Sequence, residues 1–374
     1  MKAAGKTGVR MDPGKLGRLG QAGLTLVELM VSIAISMTVL GGAVQVLVVS
    51  KGNFVTGREL ATLQENARFA MRLLSDEVRM AGYTGCSATP LGYANSIRNS
   101  AGIWYLGNTG LRGYEHEAGV NSFPAEFRSD TAADTDAIVV LRGEIAGLDL
   151  SGNHNASSAT IPVNMAHSYQ PGQIMVIASA DCTQVGVFQL TGPTNNGNDA
   201  TSMNHNQGNA NPSPGNCTES LTGNFTCANT AGATVTAYPP GSTIMEMRSD
   251  AYYIGSSSTD SSVPALFRER LQLSGTTIGT TSEELVQGVE NMQILYGLDN
   301  AGGDGLVDMY LKANSESMNW AKVVAVRLVL RMRSITPVYT NDVEHPEFEG
   351  IDDTDVSDRF MRQVISTTIQ IRNS

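Results

Sequence analysis

The sequence is poor in charged and aromatic residues, which make up 16% and 6% of its 374 residues. Its four cysteines include no CxxC pair and its five histidines are scattered, so no zinc site is expected. It has no Walker A glycine loop, HExxH helix, GxSxG elbow or SxxK pair, and hence no recognisable catalytic motif. The formal net charge of -11 argues against a protein that holds nucleic acid through phosphate contacts. We therefore expect neither an enzyme nor a nucleic-acid-binding protein.

One group of titratable residues, Glu115, His116 and Glu117, stands together in the sequence. No second histidine follows at the spacing of a zinc-binding helix. A solvated loop accounts for such a charged group without any chemistry. We therefore expect these three residues to lie on the surface.

Long apolar runs are absent as well, with one exception from Leu24 to Val49. These 26 residues contain a single charged side chain, Glu28. As a helix the run would be about 39 Å long, which exceeds the ~30 Å hydrocarbon core of a membrane. Basic residues precede the run, so the positive-inside rule keeps residues 1–23 in the cytoplasm and exports the rest. A secretory signal peptide cleaved after Ala43, or a simple anchor, would also fit the run but would leave Glu28 unexplained.

The sequence after this run has the periodicity of an amphipathic helix. Apolar residues recur there at steps of three and four, while charged residues occupy the other faces. We therefore predict one long helix over about 24–80, in which residues 24–50 cross the membrane and the second half packs on a globular domain. The apolar stripe of that second half consists of Leu60, Leu63, Ala67, Ala70, Leu74 and Val78.

The start of the apolar run, Gly23–Glu28 (GLTLVE), resembles the type III signal of type IV prepilins. The resemblance implies that prepilin peptidase cuts between Gly23 and Leu24 and that the new N-terminus at Leu24 is methylated. Leu24 departs from the Phe that major pilins usually have at this place. The cleaved leader is then residues 1–23, or a leader of 13 residues if translation begins at Met11.

The resemblance also gives a role to Glu28. After cleavage, the ammonium of Leu24 begins a helix that is packed among other helices in a filament core, where an unpaired charge is costly. Glu28 lies one turn away and could pair with this amine or with that of a neighbouring subunit. The family resemblance implies the neighbour's amine, so we expect Thr25 and Glu28 to act in assembly.

After the helical region, residues 24–83, the sequence changes to short β-rich segments bounded by Gly, Pro, Asn or Asp. We predict a β-rich head over residues 84–374, in which an antiparallel sheet covers the second half of the helix to give an α+β fold. Residues 192–236 are rich in Asn, Gly, Thr and Ser with almost nothing large to bury, so we expect a surface loop or insertion there. The predicted strands are Asp136–Arg142, Gln173–Ser179, Val185–Leu190, Ser242–Arg248, Leu266–Leu273, Leu285–Leu298, Val323–Met332 and Met361–Arg372.

The four cysteines, Cys86, Cys182, Cys217 and Cys227, allow three pairings. Because an exported protein occupies an oxidising compartment, we expect disulfide bonds. We favour Cys217–Cys227, which would close the polar loop, and Cys86–Cys182, which would tie the end of the helix to the sheet.

Several further stretches look like the PilW-type minor pilins of type IV pili, and the resemblance implies the type IV pilin fold. Together they cover the helix and most of the last hundred residues, whereas residues 90–170 and 192–260 resemble no family that we can name. The stretches are Leu73–Cys86, Ala180–Cys182, Leu285–Gly297, Asp299–Tyr310, Trp320–Arg331 and Thr367–Asn373.

Asp299, Asp304 and Asp308 lie in a glycine-rich stretch that could offer several hard oxygen ligands to Ca²⁺. Their spacing is not that of an EF-hand. A turn in which aspartates accept hydrogen bonds from the backbone needs no ion. We therefore expect no cofactor and keep these three residues as weak candidates for a calcium site.

The resemblance implies a minor pilin that joins a complex of minor pilins in the inner membrane, with its head in the periplasm. That complex primes pilus assembly and ends at or near the pilus tip, with roles in twitching motility and adhesion. Its partners would be other minor pilins, the major pilin and a large tip adhesin.

Two alternatives stay open. A J-type minor pseudopilin of a type II secretion system would share the signal and the long helix. A pilin-anchored adhesin module would bind surfaces through the polar loop, but such a module should present exposed aromatic side chains. Phe225 is the one aromatic residue in the sequence 192–236, which contains no Tyr or Trp.

Overall fold

The structure is a computed structural model, and the chain forms two compact units, Met1–Thr56 and Gly57–Ser374. The described residues are 25–86, 91–98, 109–117, 120–121, 123–124, Phe127, 131–132, 134–155, 158–193, 200–208, 212–275, 277–345, Phe348 and 357–373.

Helix α1 (Leu26–Arg79) has 54 residues, of which 26–56 belong to the first unit and 57–79 to the second. This confirms the long helix expected from the sequence. In the first unit, every side chain from Leu26 to Val49 is exposed. Among the described residues, α1 is the one helix that is long and apolar enough to cross a membrane.

In the second unit, α1 buries one face against the β-rich head. The face follows the predicted stripe, except that Leu60 is 38% exposed because burial begins only at Leu63. The small side chains within the stripe allow close approach of the helix to the strands beneath it. The buried residues are Leu63, Ala67, Ala70, Leu74, Ser75 and Val78.

The rest of the described chain is almost entirely strand and turn, with one 3₁₀ turn at Trp320–Lys322. All eight predicted strand segments are found as strands. The strands are β1 (Gly92–Asn95), β2 (Leu111–Tyr114), β3 (His116–Glu117), β4 (Val120–Asn121), β5 (Ala137–Asp149), β6 (Thr160–His167), β7 (Ile174–Ala178), β8 (Gln184–Gln189), β9 (Ala200–Asn204), β10 (Thr222–Gly223), β11 (Phe225–Thr226), β12 (Ala233–Thr234), β13 (Thr243–Ser256), β14 (Pro264–Ser274), β15 (Thr277–Gln287), β16 (Val289–Leu298), β17 (Met309–Leu311), β18 (Val323–Arg333), β19 (Val343–Glu344), β20 (Ser357–Asp358) and β21 (Arg362–Gln370).

Two sheets dominate the head. The larger has nine strands in the order β11-β1-β8-β7-β13-β14-β15, with β5 on the other edge of β13 and β2 beside β5. The smaller has four strands in the order β17-β16-β18-β21. The pairing is antiparallel as expected, except that β1 runs parallel to both of its neighbours, β8 and β11. Alternate residues of β5 and β13 face two different hydrophobic clusters, of which one includes the buried face of α1.

The two sheets are joined at Gly288, where the sequence alone predicts one continuous strand. Gly288 has a φ of +81°, which ends β15 and starts β16. Its N–H donates to the carbonyl of Pro264 in the larger sheet, and its own carbonyl accepts from the N–H of Arg333 in the smaller one. A Cβ here would lie 2.6 Å from the Arg333 carbonyl oxygen, so the junction requires glycine.

The polar stretch 192–236 is built into the head, so the expectation that it has little to bury is wrong for its described part. Met203, Leu221 and Phe225 are buried, and the stretch supplies β9 to β12. The Asn216 side chain is fully buried and replaces a strand neighbour: its Oδ1 accepts from the Gln189 N–H at 2.7 Å and its Nδ2 donates to the Gln189 carbonyl at 2.8 Å. A polar composition is thus compatible with a packed core when the polar groups are paired.

Candidate functional site

Helix α1 begins with a capping box formed by Thr25 and Glu28. Thr25 Oγ1 accepts from the Glu28 N–H at 3.2 Å, while Glu28 Oε2 accepts from the Thr25 N–H at 3.0 Å and from its hydroxyl at 2.9 Å. The first N–H groups of a helix have no partner within the helix, and reciprocal bonds of this kind satisfy them. The spacing T-x-x-E therefore fixes where the helix starts.

Glu28 uses one carboxylate oxygen for this capping box. Its second oxygen, Oε1, makes no hydrogen bond within the described part of the chain. The structure thus brings together Thr25 and Glu28, the two residues predicted to act in assembly. Gly23 and Leu24 lie outside the described residues, so cleavage and methylation there stay predictions.

The apolar side chains that follow Glu28 are exposed in the single chain. Leu26, Met37 and Leu47 are 74%, 68% and 68% exposed, respectively. An apolar surface that extends over more than six helical turns is stable in water only when lipid or other protein covers it. We call this segment, Leu26–Val49, the rod.

The second half of α1 is fastened to the head by polar contacts as well as by apolar packing. Arg142 Nε lies 3.0 Å from Glu77 Oε2, with both side chains 19% exposed. Asn66 Nδ2 donates to the Gln287 carbonyl at 3.0 Å. These contacts hold the helix to strands β5 and β15, so this half of α1 and the head form one packed unit.

The structure contains two disulfide bonds, Cys86–Cys182 and Cys217–Cys227, which are the pairs favoured from the sequence. Cys86 follows the end of α1, and Cys182 lies in the turn between β7 and β8. Cys217 and Cys227 belong to the polar stretch beside β1. The first bond therefore joins the end of the helix to the larger sheet, and the second closes a short loop.

The three candidate calcium ligands bind the backbone of their own turn. Asp299 accepts from the N–H groups of Gly303 and Gly305 at 2.8 and 2.7 Å, and these bonds lower the pKa of the Asp299 carboxyl. Asp308 Oδ2 accepts from two successive N–H groups at 2.7 Å, and Asp304 from the N–H of Leu306 at 3.0 Å. These bonds explain the aspartates without an ion, and no group of three or more His, Cys, Asp or Glu side chains is arranged for a metal among the described residues.

Glu115 is fully buried, so the expectation of a solvated loop is wrong for this residue. Its Oε1 accepts from the Ala313 N–H at 2.8 Å. It lies beside Asp136, which is 3% exposed and whose Oδ2 accepts from the Ile294 N–H at 2.7 Å. Burial, and next the charge of Glu115, raise the pKa of Asp136 to about 8. The two carboxyls lie where β2 and β5 of the larger sheet meet β16 and β17 of the smaller one.

Sequence reasoning missed a second buried charge cluster, which is centred on Glu290. Glu290 Oε2 lies 2.9 Å from Arg331 Nε and 2.7 Å from Arg362 Nε, and all three side chains are less than 14% exposed. Arg362 also donates to both oxygens of Asp358, and these hydrogen bonds hold the pKa of the Asp358 carboxyl well below its usual range. Arginines at alternate positions of β18, such as Arg331 and Arg333, were the signal that could have indicated this cluster.

Two family models match the chain. Residues 251–373, about a third of the chain, match the family described as Type IV Pilus-assembly protein W. Residues 18–44 match the family described as Prokaryotic N-terminal methylation motif. No curated protein matches the chain. The first match contains the Glu290 cluster and the smaller sheet, and the second contains the capping box and most of the rod.

An N-terminal methylation motif that overlaps an exposed apolar rod, followed by a β-rich head, is the organisation of a type IV pilin. Within that class, the match over residues 251–373, from within β13 to the end of β21, supports a PilW-type minor pilin of the type IV pilus. It is a structural component of the pilus. The motif and the rod provide a membrane anchor before assembly, and the family implies contacts with other pilus components and with prepilin peptidase.

Proposed function

We propose that this minor pilin is cleaved between Gly23 and Leu24 and joins a complex of minor pilins that primes fibre assembly. The head then lies in the periplasm while the rod is in the inner membrane, and the subunit ends at or near the pilus tip. Its partners are other minor pilins, the major pilin and a large tip adhesin. The observation that carries the proposal is the exposed rod with the Thr25–Glu28 capping box at its start.

Assembly in this proposal transfers the rod from lipid to the core of a fibre. Apolar packing is available in both environments, so the charge at the start of the rod decides how costly the transfer is. Cleavage would create an ammonium on Leu24, directly before the capping box. Glu28 Oε2 is engaged in that box, and Oε1 is the acceptor that would pair with an ammonium of the same or a neighbouring subunit.

The size of the head supports a place at the end of the fibre. The nine-stranded sheet and the polar stretch 192–236 add bulk beyond the four-stranded sheet. A subunit that repeats along a shaft has neighbours above and below it, whereas a subunit at the tip has neighbours on one side only. A bulky head is therefore easiest to accommodate at the tip.

The role of Glu28 can be tested by two substitutions that separate capping from charge. Glu28→Gln keeps a side chain that can cap the helix, while Glu28→Ala removes both functions. We expect both variants to be processed normally and both to be lost from the fibre. The measurement is an immunoblot of sheared pili against the membrane fraction, with Ser32→Ala as the control on the same helix.

The two outcomes have different meanings. If Glu28→Gln enters fibres as wild type does while Glu28→Ala fails, the carboxylate acts only as a helix cap. If both variants enter fibres, the pairing role is refuted.

Processing is tested by mass spectrometry of the N-terminal peptide of membrane-extracted protein. We expect methylated Leu24. A retained leader, or an N-terminus at Val44 from cleavage as a secretory signal, would contradict the proposal.

Deletion of the gene separates the pilus from the type II secretion alternative. Loss of surface fibres and of twitching is expected, whereas loss of exoprotein release with normal fibres would favour a J-type pseudopilin. The PilW match over residues 251–373 supports the pilus. The adhesin alternative would need an exposed aromatic side chain in the stretch 192–236, but Phe225 is only 4% exposed.

A further inference from the structure

Strand β13 changes neighbours halfway along one of its edges. It pairs with β7 over Thr243–Glu246 and with β14 over Asp250–Ser256, while β5 occupies its other edge. Over Met247–Ser249, neither β7 nor β14 is paired with it. The larger sheet is therefore split at this point into two diverging arms.

Among the described residues, the end of β14 that faces the split pairs with no second strand, and we call it the free edge. Residues Leu271–Ser274 pair with β15 but lie beyond the last residue of β14 that pairs with β13. In an antiparallel ladder, every second residue of a strand directs its backbone N–H and C=O groups to the same neighbouring strand. In the ladder between β13 and β14, the Ser257 N–H donates to the Val263 carbonyl. The odd-numbered residues of β14 therefore direct their backbone groups toward β13, so the N–H and C=O of Leu273 point into the split.

The split is an open cleft of about 430 Å³ between the two arms. This volume lies within the range of pockets that bind ligands. Leu271, Leu273 and Ile278 give it an apolar wall, and Gln173, Gln272 and Thr281 give it polar groups.

The charges around the cleft cancel. Two arginines and two glutamates line it. Arg270 Nε lies 2.9 Å from Asp250 Oδ1, and Arg248 is bonded to Glu144 and lies 3.4 Å from Glu246. Glu283 is bonded to Arg268. A lining with no excess charge favours neither a phosphate nor a metal cation. No aromatic side chain lines the cleft, so a platform for a sugar ring is absent from this described part of the head.

We propose that the cleft binds an extended segment of another polypeptide. The segment adds as a short strand along the free edge of Leu271–Ser274 and reaches the unpaired stretch Met247–Ser249 at the base of the split. Unpaired strand edges recognise a peptide through its backbone, and pockets beside the edge select among its side chains. The wall formed by Leu271, Leu273 and Ile278 takes an apolar side chain of the segment.

The test uses the full-length protein in dodecyl maltoside micelles and a phage-displayed library of random dodecapeptides. Peptides selected on the wild type are synthesised, and their Kd is measured by fluorescence anisotropy. Thr281→Trp places a large ring at an exposed position that lines the cleft, in a strand that tolerates aromatic residues. We expect at least about a tenfold rise in Kd for this variant. Ser261→Trp, at an exposed position of the β13–β14 turn outside the cleft, is the matched control and should bind as wild type does.

A second pair of variants separates backbone from side-chain recognition. Leu273→Pro removes the N–H that points into the cleft and leaves the ladder to β15 in place, whereas Leu273→Ala keeps the N–H. We expect the proline variant to lose binding by at least about tenfold more than the alanine variant. Circular dichroism and the presence of both disulfides show that each variant is folded.

Three outcomes would overturn the proposal. The first is a library from which no peptide is enriched over empty micelles. The second is a set of peptides that bind Thr281→Trp, or Leu273→Pro, as tightly as they bind the wild type. The third is a glycan array on which the protein binds a sugar through this cleft, with the sugar lost in Thr281→Trp but not in Ser261→Trp.

Discussion

Asp136 should contribute less to the stability of the head at pH 7 than at pH 5. This carboxyl is 3% exposed, and its neighbour Glu115 is fully buried. Burial and the charge of Glu115 raise the pKa of Asp136 to about 8, while the nearby Lys312 acts in the opposite direction. In the unfolded chain the same carboxyl titrates near the ordinary aspartate pKa of 3.8. The folded state therefore holds a proton that the unfolded state has already released between these two pH values.

The sign and size follow from proton linkage. A group with a raised pKa in the folded state contributes most at low pH, and its contribution is lost as the pH rises through the interval between the two pKa values. Each pH unit within that interval is worth about 1.4 kcal/mol. From pH 5 to pH 7, Asp136 should therefore lower the free energy of unfolding by about 3 kcal/mol.

The assay is urea unfolding of residues 57–374, which form a compact unit, followed by circular dichroism at several pH values between 5 and 8. Asp136→Asn keeps an oxygen that can accept from Ile294 N–H and adds donors toward Glu115, but it cannot ionise. Between pH 5 and 7, the stability of this variant should rise by about 3 kcal/mol relative to that of the wild type. The exposed Asp342→Asn is the control and should follow the wild type at each pH. A dependence of stability on pH that is the same in Asp136→Asn as in the wild type would refute the reasoning.

Three further predictions concern other buried groups in the head. Leu74→Ala should lower the free energy of unfolding by about 2–5 kcal/mol, because Leu74 is only 1% exposed. The control, Phe69→Ala, changes an exposed residue of the same helix and should alter the free energy of unfolding little. Urea unfolding midpoints measure both. Glu290→Gln should lower the free energy of unfolding by about 3–5 kcal/mol, because it leaves Arg331 and its neighbours with a buried excess of positive charge. A decrease of less than about 1 kcal/mol would contradict this. His205→Phe should be neutral or stabilising: both ring nitrogens of His205 are buried without a hydrogen bond, and burial lowers the pKa of the imidazole to about 3. A depressed histidine pKa makes the folded state lose stability as the pH falls below about 6.5, so His205→Phe should also flatten acid unfolding between pH 6 and 4, measured by fluorescence.

The helix and most strands were predictable because their signals are local. Apolar residues at steps of three and four predict the buried face of α1, except that Leu60 is exposed. The point at which burial begins depends on how far the head reaches along the helix, and strands far away in sequence determine that. The apolar run Leu285–Leu298 predicts strand correctly but not its division at Gly288. That division depends on hydrogen bonds to Pro264 and Arg333, which belong to two different sheets.

Other features had no local signal. Glu115 has charged neighbours in sequence but is fully buried, because it follows β2 directly and lies between the two sheets. The polar stretch 192–236 is packed because Asn216 pairs with the backbone of Gln189, and nothing in the composition indicates such a partner. In the candidate assembly site, the T-x-x-E spacing indicates both a processing signal and a helix cap, and the structure describes the cap alone.

The rod and the head have different physical capacities for recognition. The rod offers an apolar surface with one carboxylate at its start, and a surface of this kind packs against lipid or against any similar helix with comparable energy. It can provide strength of association and, through Glu28, a preferred axial position, but little selectivity among pilins. The head pairs its buried carboxylates and arginines internally, around Glu290 and Asp358, so these charges are not available to a partner. Selectivity must then come from surfaces of the head where hydrogen-bonding groups are exposed in a fixed direction, and the free edge of β14 at Leu271–Ser274 is one such surface.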